Sequence, residues 1–215
     1  MNFKLASIAV IAVLLLQSCK KDDDRTGINF NTSASGRSST VSRPSGTLGT
    51  LTWTSGFAYA TKLEFEAEQE NRDTEFSSTI NQRIDLFTPF SSLGFVDIAP
   101  GFYEEVEFEI DFAATANNPT LELTGTFDNT PIILRIMTPI EFEAEYEDIT
   151  IRSGDNFTAN FALNLSLLTV GITDAALRNA TRTNGDIVIS SNSNVGLYNT
   201  IINNLNNIDS VEVDD

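Results

Sequence analysis

The run Phe102 to Phe112 constrains this chain most. Phe102, Val106, Phe108, Ile110 and Phe112 take one parity, and Tyr103, Glu105, Glu107, Glu109 and Asp111 take the other. Successive side chains of a strand point to opposite faces, so this spacing predicts a strand with one apolar face and one acidic face. The same grammar recurs along the chain. Phe57, Tyr59, Leu63, Phe65 and Ala67 alternate with Lys62, Glu64, Glu66 and Glu68, and Ile140, Phe142, Ala144 and Tyr146 alternate with Glu141, Glu143, Glu145 and Glu147.

Further strands are expected around Ile80–Leu86, Leu93–Ile98, Leu121–Phe127, Ile132–Ile136 and Phe157–Leu167. Turns punctuate them: Asn71-Arg72-Asp73, Ala99-Pro100-Gly101, Asp128-Asn129 and Ser153-Gly154-Asp155-Asn156. Pro fixes φ and Gly permits positive φ, which is what such reversals need. After Leu167 the period lengthens. Thr173 to Leu177 reads as a short capped helix, Asp186–Ser190 as one more strand, and Asn194 as the cap of a helix carrying Leu197, Tyr198, Ile201, Ile202, Leu205 and Ile208. Many short strands joined by tight turns predict a mainly β fold, an antiparallel β-sandwich with short C-terminal helices, over residues 48–215.

Composition supports a folded core, with 15 Phe and 41 % hydrophobic residues in 215. The chain has no His and a single Cys. That excludes an internal disulfide, a Cys/His zinc site and any His-dependent triad or dyad. No glycine-rich phosphate loop is present. The formal charge of −17 argues against nucleic acid as a partner, because phosphate must be neutralised by Lys and Arg. It suits a cationic partner instead.

The sole cysteine, Cys19, closes an apolar stretch. Lys4 precedes an uncharged run from Ala6 to Leu16, and small Ser18 stands just before the cysteine. The run is too short to span a bilayer and has the form of a signal peptide. Leu16, Ser18 and Cys19 resemble the lipobox of bacterial lipoproteins, with Gln17 departing from the small residue usual there. The resemblance implies that residues 1–18 are removed, that lipid is attached at Cys19, and that the protein is held in a membrane by its acyl chains. The tract Lys20-Lys21-Asp22-Asp23-Asp24 resembles the export signal that sends Bacteroidota lipoproteins to the outer face of the outer membrane. Residues 19–47 are otherwise rich in Ser, Thr, Gly and Arg and are expected to form a flexible linker, with a first edge strand around Ile28–Phe30 as the alternative.

Ile84-Asp85-Leu86, Ile98-Ala99-Pro100-Gly101-Phe102-Tyr103 and Leu121-Glu122-Leu123-Thr124-Gly125 resemble bacterial lipoprotein domains of immunoglobulin-like or transthyretin-like type. Asn184-Gly185-Asp186-Ile187 and Asn194–Leu205 are similar to the ends of such proteins in Bacteroidota. The resemblance lends a fold and a location but no activity. A non-enzymatic, lipid-anchored surface module that binds a protein or glycan ligand is therefore expected, with no cofactor.

Three features carry candidate chemistry. The glutamate ladders are either a solvated face that discourages edge pairing or a surface for calcium or a cationic partner. Trp53, Tyr59, Tyr103 and Tyr198 are candidates for stacking on sugar rings, the mark of a glycan-binding accessory lipoprotein of a nutrient-uptake system. Asp209-Ser210-Val211 resembles an O-glycosylation acceptor of Bacteroidota, with Ser210 as the modified residue.

Overall fold

The computed structural model describes residues 25–42, 48–70, 72–89 and 91–206. In chain order these residues form β1 (Gly27–Ser35), β2 (Ser38–Ser42), β3 (Leu48–Gln69), β4 (Arg72–Asp85), β5 (Ser91–Asp97), β6 (Gly101–Phe112), β7 (Leu121–Phe127), β8 (Thr130–Ile136), β9 (Ile140–Ile151) and β10 (Asn156–Asn164). Then follow α1 (Leu165–Leu168), α2 (Asp174–Arg178), β11 (Arg182–Thr183), β12 (Asp186–Ile189) and α3 (Val195–Leu205). No helix among the described residues is long and apolar enough to cross a membrane.

β3, 22 residues long, organises the larger sheet. Its first half lies between β2 and β7, and its second half between β4 and β6. From β7 the sheet continues through β8 and β12 to β11, and from β6 to β9. A three-stranded sheet, β10-β1-β5, forms the second layer. The layers meet at Phe108, whose ring lies 5.3 Å from both Phe30 of β1 and Phe65 of β3. The helices close the other end, with Leu165, Leu168, Leu177, Ile201 and Leu205 buried.

The β-sandwich is as expected, but not every pair is antiparallel. β1 runs parallel to β10, and β12 runs parallel to β8. The expected linker is also corrected over its later part. Gly27–Ser35 is the central strand of the smaller sheet, and Ser38–Ser42 pairs with β3. Ile28, Phe30, Thr32 and Ala34 are all buried, on alternate positions. Short polar residues between them read as linker composition, yet on a strand they are the solvent-facing half of the pattern. The folded domain therefore begins well before residue 48.

Two β-bulges in β3 correct its expected phase. The register shifts between Trp53 and Ser55 and again between Ala60 and Lys62. Each bulge moves the inward set by one residue. Leu51 and Trp53 point inward, then Ala58 and Ala60, then Leu63, Phe65 and Ala67. Tyr59 accordingly does not share the inward face of Leu63, and its hydroxyl donates to the Asn81 carbonyl at 3.3 Å. On β6, Tyr103 is buried and Phe102 is 52 % exposed, the reverse of the simple alternation. The phase changes at Glu104, opposite Asp148 of β9, whose φ is 55°.

The last long strand ends sooner than expected. Asn164 turns it into α1, its side chain accepting from the Ser166 amide. Thr173 caps α2 as expected, accepting from the Ala176 amide at 3.2 Å. Asn194 precedes α3 but does not cap it with its side chain. It sits at φ 52° and accepts from the Thr181 amide, while its own amide donates to the Thr181 and Val188 carbonyls. It therefore ties the start of α3 to β12.

Candidate functional site: a carboxylate-lined sheet face

Four adjacent strands, β4, β3, β6 and β9, share one outer face. Their inner residues (Leu63, Phe65 and Ala67 on β3; Val106, Phe108, Ile110 and Phe112 on β6) are buried under the smaller sheet. The alternation then forces every second side chain outward, and the register aligns the outward ones in rows. One row reads Asp73, Glu68, Glu105, Glu147. The next reads Glu75, Glu66, Glu107, Glu145. A third reads Ser77, Glu64, Glu109, Glu143, and the last Thr79, Lys62, Asp111, Glu141. Residues directly opposite on neighbouring strands have Cβ atoms about 5 Å apart, close enough for like charges to repel.

Lys62 is the one basic residue in these rows. Its ammonium pairs with Glu64 and lies 3.9 Å from Glu109 Oε1. The hydrogen bond to Glu64 raises the Lys62 pKa, and the same bond lowers that of Glu64. The rest of the face is shifted the other way. Glu109 is pushed up to about 7, first by burial and then by Asp111, Glu141 and Glu64. Burial, followed by neighbouring carboxylates, also raises Glu105, Glu107 and Glu143. Asp111 is raised by burial, against the pull of Lys62. The tightest grouping is Glu109, Asp111 and Glu141, which can each bring one oxygen within 4.8 Å of the others. That is a set of hard oxygen donors of the kind calcium takes.

The expected ladders on β3, β6 and β9 are thus brought together on one surface. Asp73 and Glu75 extend it onto β4, and the sequence reading missed them. The turn signal Asn71-Arg72-Asp73 claims Asp73, and the largely exposed β4 lacks the apolar alternation that would mark it as a strand. The signal available was the length of β3: a strand that long leaves an edge for a neighbour.

The aromatic candidates go elsewhere. Trp53, Tyr103 and Tyr198 are buried, and the Tyr103 hydroxyl donates to the Ala99 carbonyl at 2.6 Å. None of these three offers a ring face to a sugar. Nor is there room between the layers: an apolar cavity lined by Phe112, Leu121, Phe142, Phe161 and Leu163 measures about 20 Å³, space for about one water. Cys19, the tract Lys20, Lys21, Asp22, Asp23 and Asp24, Ile208 and Ser210 all lie outside the described residues.

The fold and this face together define a two-layer β-sandwich bearing a four-strand carboxylate surface. No family model, curated protein or solved structure matches the chain.

Proposed function

We propose that this chain is a lipid-anchored, non-catalytic binding module, held through Cys19 at the outer face of the outer membrane, that takes up a cationic partner on its acidic sheet face. The observation carrying this reading is the in-register stacking of carboxylates across β4, β3, β6 and β9. Such a face opposes its own folding through like-charge repulsion. A partner bearing Lys or Arg relieves that repulsion as it binds, so the same charges that weaken the free domain favour the complex. Electrostatic attraction of this kind also speeds encounter and falls with added salt.

The test is binding of a lysine-rich peptide to the purified chain, followed by calorimetry at several salt concentrations. Binding that weakens steeply with salt supports the reading. Absence of binding at low salt sinks it. Protease shaving of intact cells tests the location, and protection of the domain would overturn surface display.

A calcium-binding adhesion module is the second reading, favoured by the convergence of Glu109, Asp111 and Glu141. It expects calcium to raise the melting temperature and Asp111→Asn to abolish that rise. A glycan-binding role loses support from the burial of Trp53, Tyr103 and Tyr198.

A further inference from the structure

The acidic sheet ends in an open edge. β4 is 14 residues long, and among the described residues β3 is the only strand paired with it. Its far side therefore presents backbone N–H and C=O groups that a further strand can pair with. No Pro and no Lys interrupts β4, although both commonly block such edges.

The inner side of this edge is incompletely covered. Phe76 of β4 pairs with Phe65, which packs on Phe108 beneath Phe30. Phe30's partner on β5 is Gly94, and a Cβ built there meets nothing within 4 Å. β5 thus supplies no side chain directly opposite Phe30, and its buried Leu93 and Val96 flank that position. Phe76 is left 40 % exposed, and Ile80 is only partly buried. The outer side of the same edge carries Asp73 and Glu75, the end members of two carboxylate rows.

We propose that the β4 edge docks an extended segment of a protein partner in which basic residues alternate with apolar ones. Backbone pairing gives the affinity of strand addition, and alternate side chains give its selectivity. The apolar residues cover Phe76 and Ile80. The basic residues stand about 4.8 Å beyond Asp73 and Glu75, where opposite charges on adjacent strands attract. An acidic segment would lengthen the like-charge rows, and a second copy of β4 brings more acid than base, Asp73, Glu75 and Asp85 against Arg72 and Arg83. The charge pattern therefore selects a basic occupant. This inference rests on the cationic-partner reading and gives it a place and a geometry.

The experiment uses the full-length chain and two labelled peptides of about ten residues, one alternating Lys and Val, the other with the same residues in two blocks. Fluorescence anisotropy is expected to show the alternating peptide binding about tenfold more tightly. Asp73→Lys with Glu75→Lys should remove that preference. Glu145→Lys with Glu147→Lys, the same charge change in the same rows at the β9 edge, should leave it in place. Hydrogen exchange should slow at β4 amides when the alternating peptide binds. Equal binding of the two peptides, equal losses from the two edges, or unchanged β4 exchange overturns the docking proposal alone. Failure of both peptides to bind overturns the cationic-partner reading itself. A dimer formed through β4 without peptide also overturns the choice of occupant.

Discussion

The Lys62 ammonium stands between carboxylates of adjacent strands, paired with Glu64 of β3 and 3.9 Å from Glu109 Oε1 of β6. Lys62 holds Glu64 ionised, while burial and the neighbouring acids keep the proton on Glu109 up to about pH 7.

This sets the pH dependence. Glu109 binds its proton more tightly in the folded state than in the unfolded chain, so its contribution to stability is full below its ordinary carboxyl pKa and is lost as pH rises through about 7. Glu107, Asp111 and Glu143 act in the same sense. Glu64 and Asp97, whose pKa values are lowered, act oppositely, and their contribution disappears as pH falls through their depressed values. The melting temperature is therefore expected to fall between about pH 5 and pH 8. Glu109→Gln should flatten that fall, and carbon NMR of the Glu109 carboxyl should titrate near 7. A melting temperature that rises across this interval contradicts the assignment.

Repulsion on the face should be removable one charge at a time. Glu107 lies between Glu66 and Glu145 in its row. Glu107→Gln is expected to stabilise the domain by about 0.5–1 kcal/mol in low salt. The gain should shrink in high salt, where the wild type recovers some stability by screening. Paired urea titrations at the two salt concentrations measure both effects.

The N-terminal strand belongs to the core, and its removal should show this. Phe30 is fully buried and its ring packs at a tilt against Phe108. Phe30→Ala should cost about 3–5 kcal/mol, the range for deleting a buried aromatic ring. A change near zero in chemical denaturation would return residues 27–35 to the status of a linker.

Gly125 allows β7 to lie close against β3. A Cβ there would approach the Thr52 carbonyl oxygen to 2.1 Å and the Trp53 Cα to 2.9 Å. Both are backbone atoms with no rotamer to yield. Gly125→Ala should destabilise by about 1–3 kcal/mol, as overpacking does. Gly196→Ala is the control, since its Cβ would meet nothing within 4 Å.

Asn194 joins the start of α3 to Thr181 through two hydrogen bonds and to Val188 of β12 through a third. Asn194→Ala should lose about 2–4 kcal/mol. Asn194→Asp, which keeps the acceptor but turns a carboxylate oxygen toward the Thr181 and Val188 carbonyls, should cost at least as much. Thermal melts of the three proteins order these effects.

Much of the architecture was legible where side-chain period and burial agree. Val106, Phe108, Ile110 and Phe112 gave the inner face of β6, and their glutamate neighbours gave its outer face. Period fails where the backbone changes phase. Nothing local at Ser55 or Thr61 announces a bulge, so Tyr59 was placed on the wrong side. It fails again where the polar half of a strand has the composition of a linker, as in Asn29, Asn31 and Ser33 of β1. For the face itself, the sequence showed which residues point outward, but not that Glu66 stands beside Glu107 and Glu145. Pairing of distant strands is fixed by tertiary packing and has no local signature. Partner order across a sheet also hid Asp73 and Glu75.

Where β1 begins has a consequence for orientation. Gly27 is pinned beside the β9–β10 turn, its amide donating to the Asp155 carbonyl, and Thr26 accepts from the Gly154 amide. The β9–β10 turn follows Ile151, which pairs with Gly101, and Gln69 donates to the neighbouring Phe102 carbonyl. The chain therefore enters the fold at the end where the row Asp73, Glu68, Glu105, Glu147 lies. From Cys19 to Arg25 a fully extended backbone covers about 20 Å. Lipid at Cys19 would thus place the row Asp73, Glu68, Glu105, Glu147 at the end nearest the anchor. The row nearest the anchor would then lie no more than about 20 Å of chain beyond Cys19, roughly two to three Debye lengths at physiological salt.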